Sequence, residues 1–127
     1  MAAKKTKSET TFPEFRRGDV LWINCDPSIG VEPKERRTCV VVSNDEANRY
    51  WAAVTIIPTV DWSGDRAKRA FLVDLGGDRS TLRERRLANA SMITTYDRNR
   101  VIGRAGRVSK EALELIDAAL KLHLALT

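Results

Sequence analysis

The chain has 127 residues, 43% apolar and 31% charged, which is enough for one domain with a buried core and too little for two. No apolar run approaches the ~20 residues a membrane-spanning helix needs. Met1-Ala2-Ala3-Lys4-Lys5 leads into polar residues instead of a signal-type apolar segment, so a cytoplasmic protein without a membrane partner is expected. His123 is the only histidine, which excludes paired-histidine ribonuclease chemistry, Ser-His-Asp triads and histidine-rich metal sites within one chain. Cys25 and Cys39 make neither a disulfide scaffold nor a four-ligand zinc set, and read as buried apolar residues. Lys and Arg outnumber Asp and Glu by 22 to 17, a net charge of +5, and 15 of those bases are Arg. The planar guanidinium fork suits bidentate phosphate contacts, so the bias is compatible with a nucleic-acid partner.

In chain order, residues 1–15 read as a basic N-terminal tail and residues 16–127 as the single domain. Asp19 to Cys25, Cys39 to Val42, Ala53 to Pro58, Ala70 to Leu75 and Leu87 to Ile93 are short runs rich in strand formers. Asn44-Asp45 marks a turn after the second run, Gly76-Gly77-Asp78 closes the fourth, and Asp97-Arg98-Asn99 turns into a short strand at Val101-Ile102. Trp22, inside the first strand, reads as core. Closely spaced strands with one terminal helix predict a mainly β fold, a small curled antiparallel sheet or barrel. The helix begins after the N-cap Ser109 and runs without Gly or Pro to Leu126, with Glu111 in its first turn. Leu113, Ile116, Leu120 and Leu124 form one apolar stripe and Leu115, Ala119, Leu122 and Leu126 a second. Together they span about 200°, wider than packing on one sheet requires. A partner copy of the chain is the expected cover, hence a homodimer, with His123 in the apolar arc as a packed or interface residue.

The basic residues of the body cluster at Arg16-Arg17, Lys34 to Arg37, Arg79 to Arg86 and Arg98 to Arg107. The connection from Asp26 to Arg37 is too long for a tight hairpin and carries Pro, Gly, two Glu and three bases. Long connections of this kind are often functional. Lys34 and Arg36 suit steering of a phosphate backbone, Arg37 sits at the mouth of the second strand, and Glu32 offers a carboxylate to deprotonate a hydroxyl. A solvated charged loop is the plainer reading.

Arg17-Gly18-Asp19-Val20-Leu21-Trp22, then Asp26-Pro27, Gly30, Glu32, and Arg37 leading into Val40-Val41-Val42-Ser43-Asn44-Asp45 and Asn48-Arg49, form an ordered series. It continues through Pro58, Thr95-Tyr96-Asp97-Arg98-Asn99-Arg100 and Gly106-Arg107-Val108-Ser109 to the Leu-rich helix. The series resembles the MazF/PemK family of toxin endoribonucleases. The resemblance implies an SH3-like curled antiparallel β-barrel with a long C-terminal helix, a homodimer, and cleavage of single-stranded mRNA that needs no metal or other cofactor. It also implies a cognate antitoxin whose acidic C-terminal segment fills the RNA groove.

By that resemblance Arg37 takes the place of the family's catalytic arginine and Glu32 that of its acidic loop position. The family's threonine at the end of the third strand matches imperfectly. Pro58-Thr59-Val60-Asp61 puts Val60 at the ungapped position, leaving Thr59 as the expected residue and Asp61 as its substitute. Thr38 stands where the family has proline, Pro33 where it has glutamine, and Ser91-Met92 where many members carry an acidic-Gln pair. With Lys34, Arg36 and Asp61, Ser91 is an expected RNA contact, and the changes suggest altered base preference. The implied reaction is attack by the RNA 2′-hydroxyl on the adjacent phosphorus, giving a 2′,3′-cyclic phosphate and a 5′-hydroxyl. Arg37 would stabilise the charge, Glu32 would act as base and Thr59 would orient the phosphate. Two rivals stand beside this reading: a CcdB-like gyrase-poisoning toxin, and a noncatalytic RNA-binding module using Trp22, Tyr50, Trp51 and Trp62 for stacking.

Overall fold

A computed structural model describes residues 14–76 and 82–126. The strands are β1 (Asp19–Asn24), β2 (Arg36–Val41), β3 (Ala53–Asp61), β4 (Leu72–Asp74), β5 (Arg86–Asn89), β6 (Thr94–Asp97) and β7 (Val101–Arg107). Two α-helices join them, α1 (Asp45–Tyr50) and α2 (Lys110–His123). All pairings are antiparallel, in the order β4-β5-β3-β2-β1-β7 with β6 on β3. Among the described residues the end strands β4 and β7 do not pair, so the sheet curls without closing into the expected barrel. The central strand β3 runs nine residues, not six. It pairs with β6 over Ala53–Ile56 and then with β5 over Thr59–Asp61. Pro58, which has no amide to donate, sits between these two pairings.

Side chains alternate across the sheet and feed two cores. Val20, Val40 and Ile57 face α2 and pack with Ala112, Ile116, Ala119 and Leu120. Leu21, Ile23, Cys39, Val41, Val54 and Ile56 pack on the opposite face with Phe15 and Cys25. Both cysteines are buried free thiols, as expected. Cys39 is hydrogen-bonded to Cys25, which lowers the Cys25 thiol to about 7 and pushes Cys39 well up.

Several elements differ from the sequence reading. Asn44 is not a turn residue but the N-cap of α1, its side chain accepting from the Ala47 amide at 2.8 Å. The fifth run resolves into β5 and a 3₁₀ turn at Ala90–Met92, a further strand, β6, follows it, and β7 extends to Arg107. Ser109 caps α2 as predicted, accepting from Ala112 N at 3.0 Å, a contact worth ~1 kcal/mol. The first helical stripe is partly buried, whereas Leu115, Leu122 and Leu126 of the second are exposed, as is His123. Most of the tail expected over residues 1–15 lies outside the described residues, but Phe15 belongs to the body, buried beneath the Arg98 guanidinium at 4.4 Å.

Arg98, the first residue of the fourth basic cluster, is itself buried and donates to the carbonyls of Asn48 and Trp51. Asp19 is buried at the start of β1, accepting from Arg107 Nη1 at 2.7 Å and from the Arg16 amide at 2.8 Å. Arg104 completes this network at 3.3 Å. Removing the carboxylate takes away the acceptor that gathers these donors, two of them on part-exposed guanidiniums that water can reach, so Asp19→Ala is expected to cost about 1–3 kcal/mol, measured by urea unfolding.

Candidate active-site cleft

Trp22 shares its face of β1 with Val20 but lies beyond the part packed on α2, and it is 44% exposed. The predicted core position is therefore wrong. Trp22 instead lines a cleft of about 940 Å³ with Thr38, Val60, Leu82 and Ala105. The remaining lining is charged: Arg36, Arg37, Arg66, Arg83, Arg86 and Arg104, six guanidiniums against the carboxylates of Asp61 and Glu84. β2 supplies Arg36 and Arg37, the segment entering β5 supplies Arg83 and Arg86, and β7 supplies Arg104. Such a concentration of one sign attracts a polyanion.

At the cleft, β2 and β3 are tied by buried hydroxyls. Thr38 Oγ1 and Thr59 Oγ1 are 2.6 Å apart, and Thr59 Oγ1 donates to the Thr38 carbonyl at 3.1 Å. Thr59 Oγ1 also accepts from Arg86 Nε at 2.9 Å. One donor and two acceptor sites are thus all in use. Thr59 is fully buried, so it meets the cleft through the arginines it holds and not through its own hydroxyl, as the sequence reading had expected. Its carbonyl accepts from Arg37 Nη1 and from Arg86 Nη2, each at 3.2 Å.

Arg37 is half-buried and has no carboxylate partner among the described residues. Its Nε is buried without an acceptor, an uncommon and costly state for an N–H. Arg86 is ion-paired with Asp61, and Arg66 Nη1 donates to the Asp61 carbonyl at 3.1 Å. The cleft thus brings together Arg36, Arg37 and Asp61 of the expected residues. Glu32, Lys34 and Ser91 lie outside its lining. Glu32 accepts from the Ile29 amide of its own loop at 2.8 Å, Lys34 is exposed, and Ser91 Oγ donates to Asn89 Oδ1 at 2.6 Å. Arg66, Arg83, Glu84, Arg86 and Arg104 were not singled out as site residues, and Trp22 only as a stacking residue of the noncatalytic reading. The charge cluster ending at Arg86 was their main trace, though Arg79 within it lies outside the described residues.

A second hollow of about 700 Å³ opens beside α1, lined by Arg16, Arg49, Tyr50 and Trp51 among others, and shares Arg104 with the first.

The sequence profile of the PemK-like, MazF-like toxins of type II toxin-antitoxin systems matches residues 16–124. The chain belongs to this family. Among curated MazF relatives, the endoribonuclease MazF9 of Mycobacterium tuberculosis is 34% identical over 115 residues, spanning 87% of this chain and 96% of the relative. Among solved structures, MazF from Deinococcus radiodurans superposes with a TM-score of 0.77 at 20% identity, covering 89% of this chain and 98% of that one. An endoribonuclease in complex with its cognate antitoxin, from a mycobacterial species, gives a TM-score of 0.68 at 22% identity, covering 90% and 96%. These likenesses confirm the MazF architecture of curled sheet and C-terminal helix.

The Thr59 node is testable within this MazF-like frame. Thr59→Val keeps the shape but removes the hydroxyl, leaving Arg86 Nε and the Thr38 hydroxyl short of a partner. A loss of about 1–3 kcal/mol in chemical unfolding is expected, with Thr59→Ser largely restoring stability.

Proposed function

We propose that this chain is the toxin of a type II toxin-antitoxin pair and cuts single-stranded mRNA at selected sequences, with Arg37 as the central catalytic residue. One observation carries the reading: an uncompensated guanidinium, anchored on the Thr59 carbonyl and holding an orphaned buried N–H, stands in a cleft of six arginines. The family match and the MazF9 relative support the same activity.

In the proposed reaction the RNA 2′-hydroxyl oxygen attacks the adjacent phosphorus as the bond to the 5′-oxygen breaks. The products are a 2′,3′-cyclic phosphate and a 5′-hydroxyl, the departing 5′-oxygen taking its proton from solvent water. Arg37 binds the non-bridging oxygens, whose charge grows in the transition state, through charge-assisted hydrogen bonds. A guanidinium does not give up its proton near neutrality, so its role is electrostatic. The proton of the 2′-hydroxyl is assigned to Glu32. Glu32 is exposed on its loop, and releasing its bond to the Ile29 amide costs about 1 kcal/mol. The exposed Trp22 offers a face for base stacking.

Two partners complete the proposal. The exposed Leu115, Leu122 and Leu126 of α2 meet a second copy of the chain in a homodimer. An antitoxin with an acidic C-terminal segment competes with RNA for the arginine cleft. None of the described helices is long and apolar enough to cross a membrane, and mRNA as substrate makes the cytoplasm the site of action.

The deciding experiment incubates the protein with long single-stranded RNA in EDTA and identifies fragment ends by mass. Cuts bearing cyclic phosphates are expected, with none at a site carrying a 2′-deoxy nucleotide. Gyrase inhibition without cuts would favour the CcdB-like rival. Arg37→Ala should lower the cleavage rate by at least about 100-fold while the protein stays folded. Glu32→Gln should reduce kcat by a similar factor, whereas a larger loss in Glu84→Gln would move the base to the carboxylate already inside the cleft. Leu122→Glu should convert a dimer into a monomer in sedimentation without loss of helical circular dichroism.

A further inference from the structure

We infer that Arg86 is a second phosphate-binding guanidinium and that Asp61 is its placeholder in the RNA-free protein. This rests on the ribonuclease reading above and identifies a residue that the family resemblance did not supply.

Arg37 Nη1 and Arg86 Nη2 both donate to the same Thr59 carbonyl, at 3.2 Å each. Two positive charges therefore converge on one oxygen that carries no formal charge. Like charges held this close favour an anion beside them, and among the ion pairs Asp61 supplies one to Arg86 but none reaches Arg37. Arg37 receives none, and its Nε remains without an acceptor. The pair is short of one negative charge, and a phosphodiester entering the cleft between the two forks brings it. During 2′-hydroxyl attack the phosphorane gains a further charge, which a second guanidinium is suited to meet.

The two members of the Arg86–Asp61 pair are held very differently. The Arg86 side chain is 18% exposed and fixed by Thr59 through Nε and Nη2, whereas the Asp61 side chain is 79% exposed at the end of β3. A carboxylate this open to water holds its partner weakly. It can swing away without disturbing the sheet, while Arg86 stays pointed into the cleft. Asp61, expected from the sequence to touch RNA, is thus the group that RNA displaces. Arg85, the neighbouring base, is committed elsewhere, ion-paired to Asp74 at 2.5 Å and stacked on Trp62.

The test uses the full chain and two probes: a single-stranded RNA containing a mapped cut site, and the same sequence as an uncleavable 2′-deoxy oligonucleotide. Arg86→Ala should lower kcat/KM about 100-fold and make the slope of log Kd against log salt shallower by about 0.7, the mark of one lost phosphate contact on a single strand. Asp61→Asn should tighten binding of the uncleavable strand three- to tenfold at low salt. If Arg86 only props up Thr59, its removal will slow cleavage with the salt slope unchanged, and Asp61→Asn will leave binding equal or weaker. Either result overturns the inference. Should Arg86→Ala fail to fold, the exposed Asp61→Asn substitution decides alone. Wild-type protein that binds but never cuts would defeat the ribonuclease reading while leaving the salt-slope comparison valid.

Discussion

The contact between the Thr38 and Thr59 hydroxyls is the point from which the cleft is organised. It lies where β2 and β3 leave the apolar core, and it is buried, so each hydroxyl must find partners within the protein. Thr59 satisfies its own by taking the Thr38 carbonyl and Arg86, and its backbone carbonyl then collects Arg37. Two long, flexible side chains are thereby fixed by a single residue whose backbone is already locked by pairing to β5. A guanidinium ordered before substrate arrives has less side-chain entropy left to lose on binding.

The charge excess of the chain is not spread evenly over its function. Arg17 is spent on Asp117 at 2.5 Å, Arg107 on Asp19 and Arg98 on backbone carbonyls beside α1. These hold α2, the start of β1 and the end of α1 in place. Six others line the cleft, and of the two on the Thr59 node, Arg37 has no acid paired with it while Arg86 has Asp61. The same residue type serves as a structural clamp where its bonds tie one element to another, and as a binding group where, as in Arg37, part of its fork is left without an acceptor.

Strand runs, the terminal helix and its cap were legible because each depends on local pattern: β-branched residues at period two, a Ser before a Gly-free amphipathic stretch. The short helix α1 was not, because Asn44 caps helices and opens turns by the same side-chain chemistry. The orientation of Trp22 was hidden for a different reason. Alternation places it on the α2 face, but only the assembled fold shows that the helix cover stops short of it. Arg37 could be singled out from its position at the mouth of an apolar strand and from the family series. Arg86 could not, since its meaning comes from sharing a carbonyl with Arg37, a residue 49 positions earlier in the chain. Thr59 was identified by position but not by environment, because burial is a property of the packed sheet.

Arg98 has an effect that reaches the molecular surface. By gripping the Trp51 carbonyl at 2.9 Å from below, with Phe15 behind it, it pins the short peptide from which the Tyr50 and Trp51 rings project into water. Two broad aromatic planes are thus displayed on a stiff ledge instead of a wagging loop, so a molecule settling there would find its landing surface already in shape.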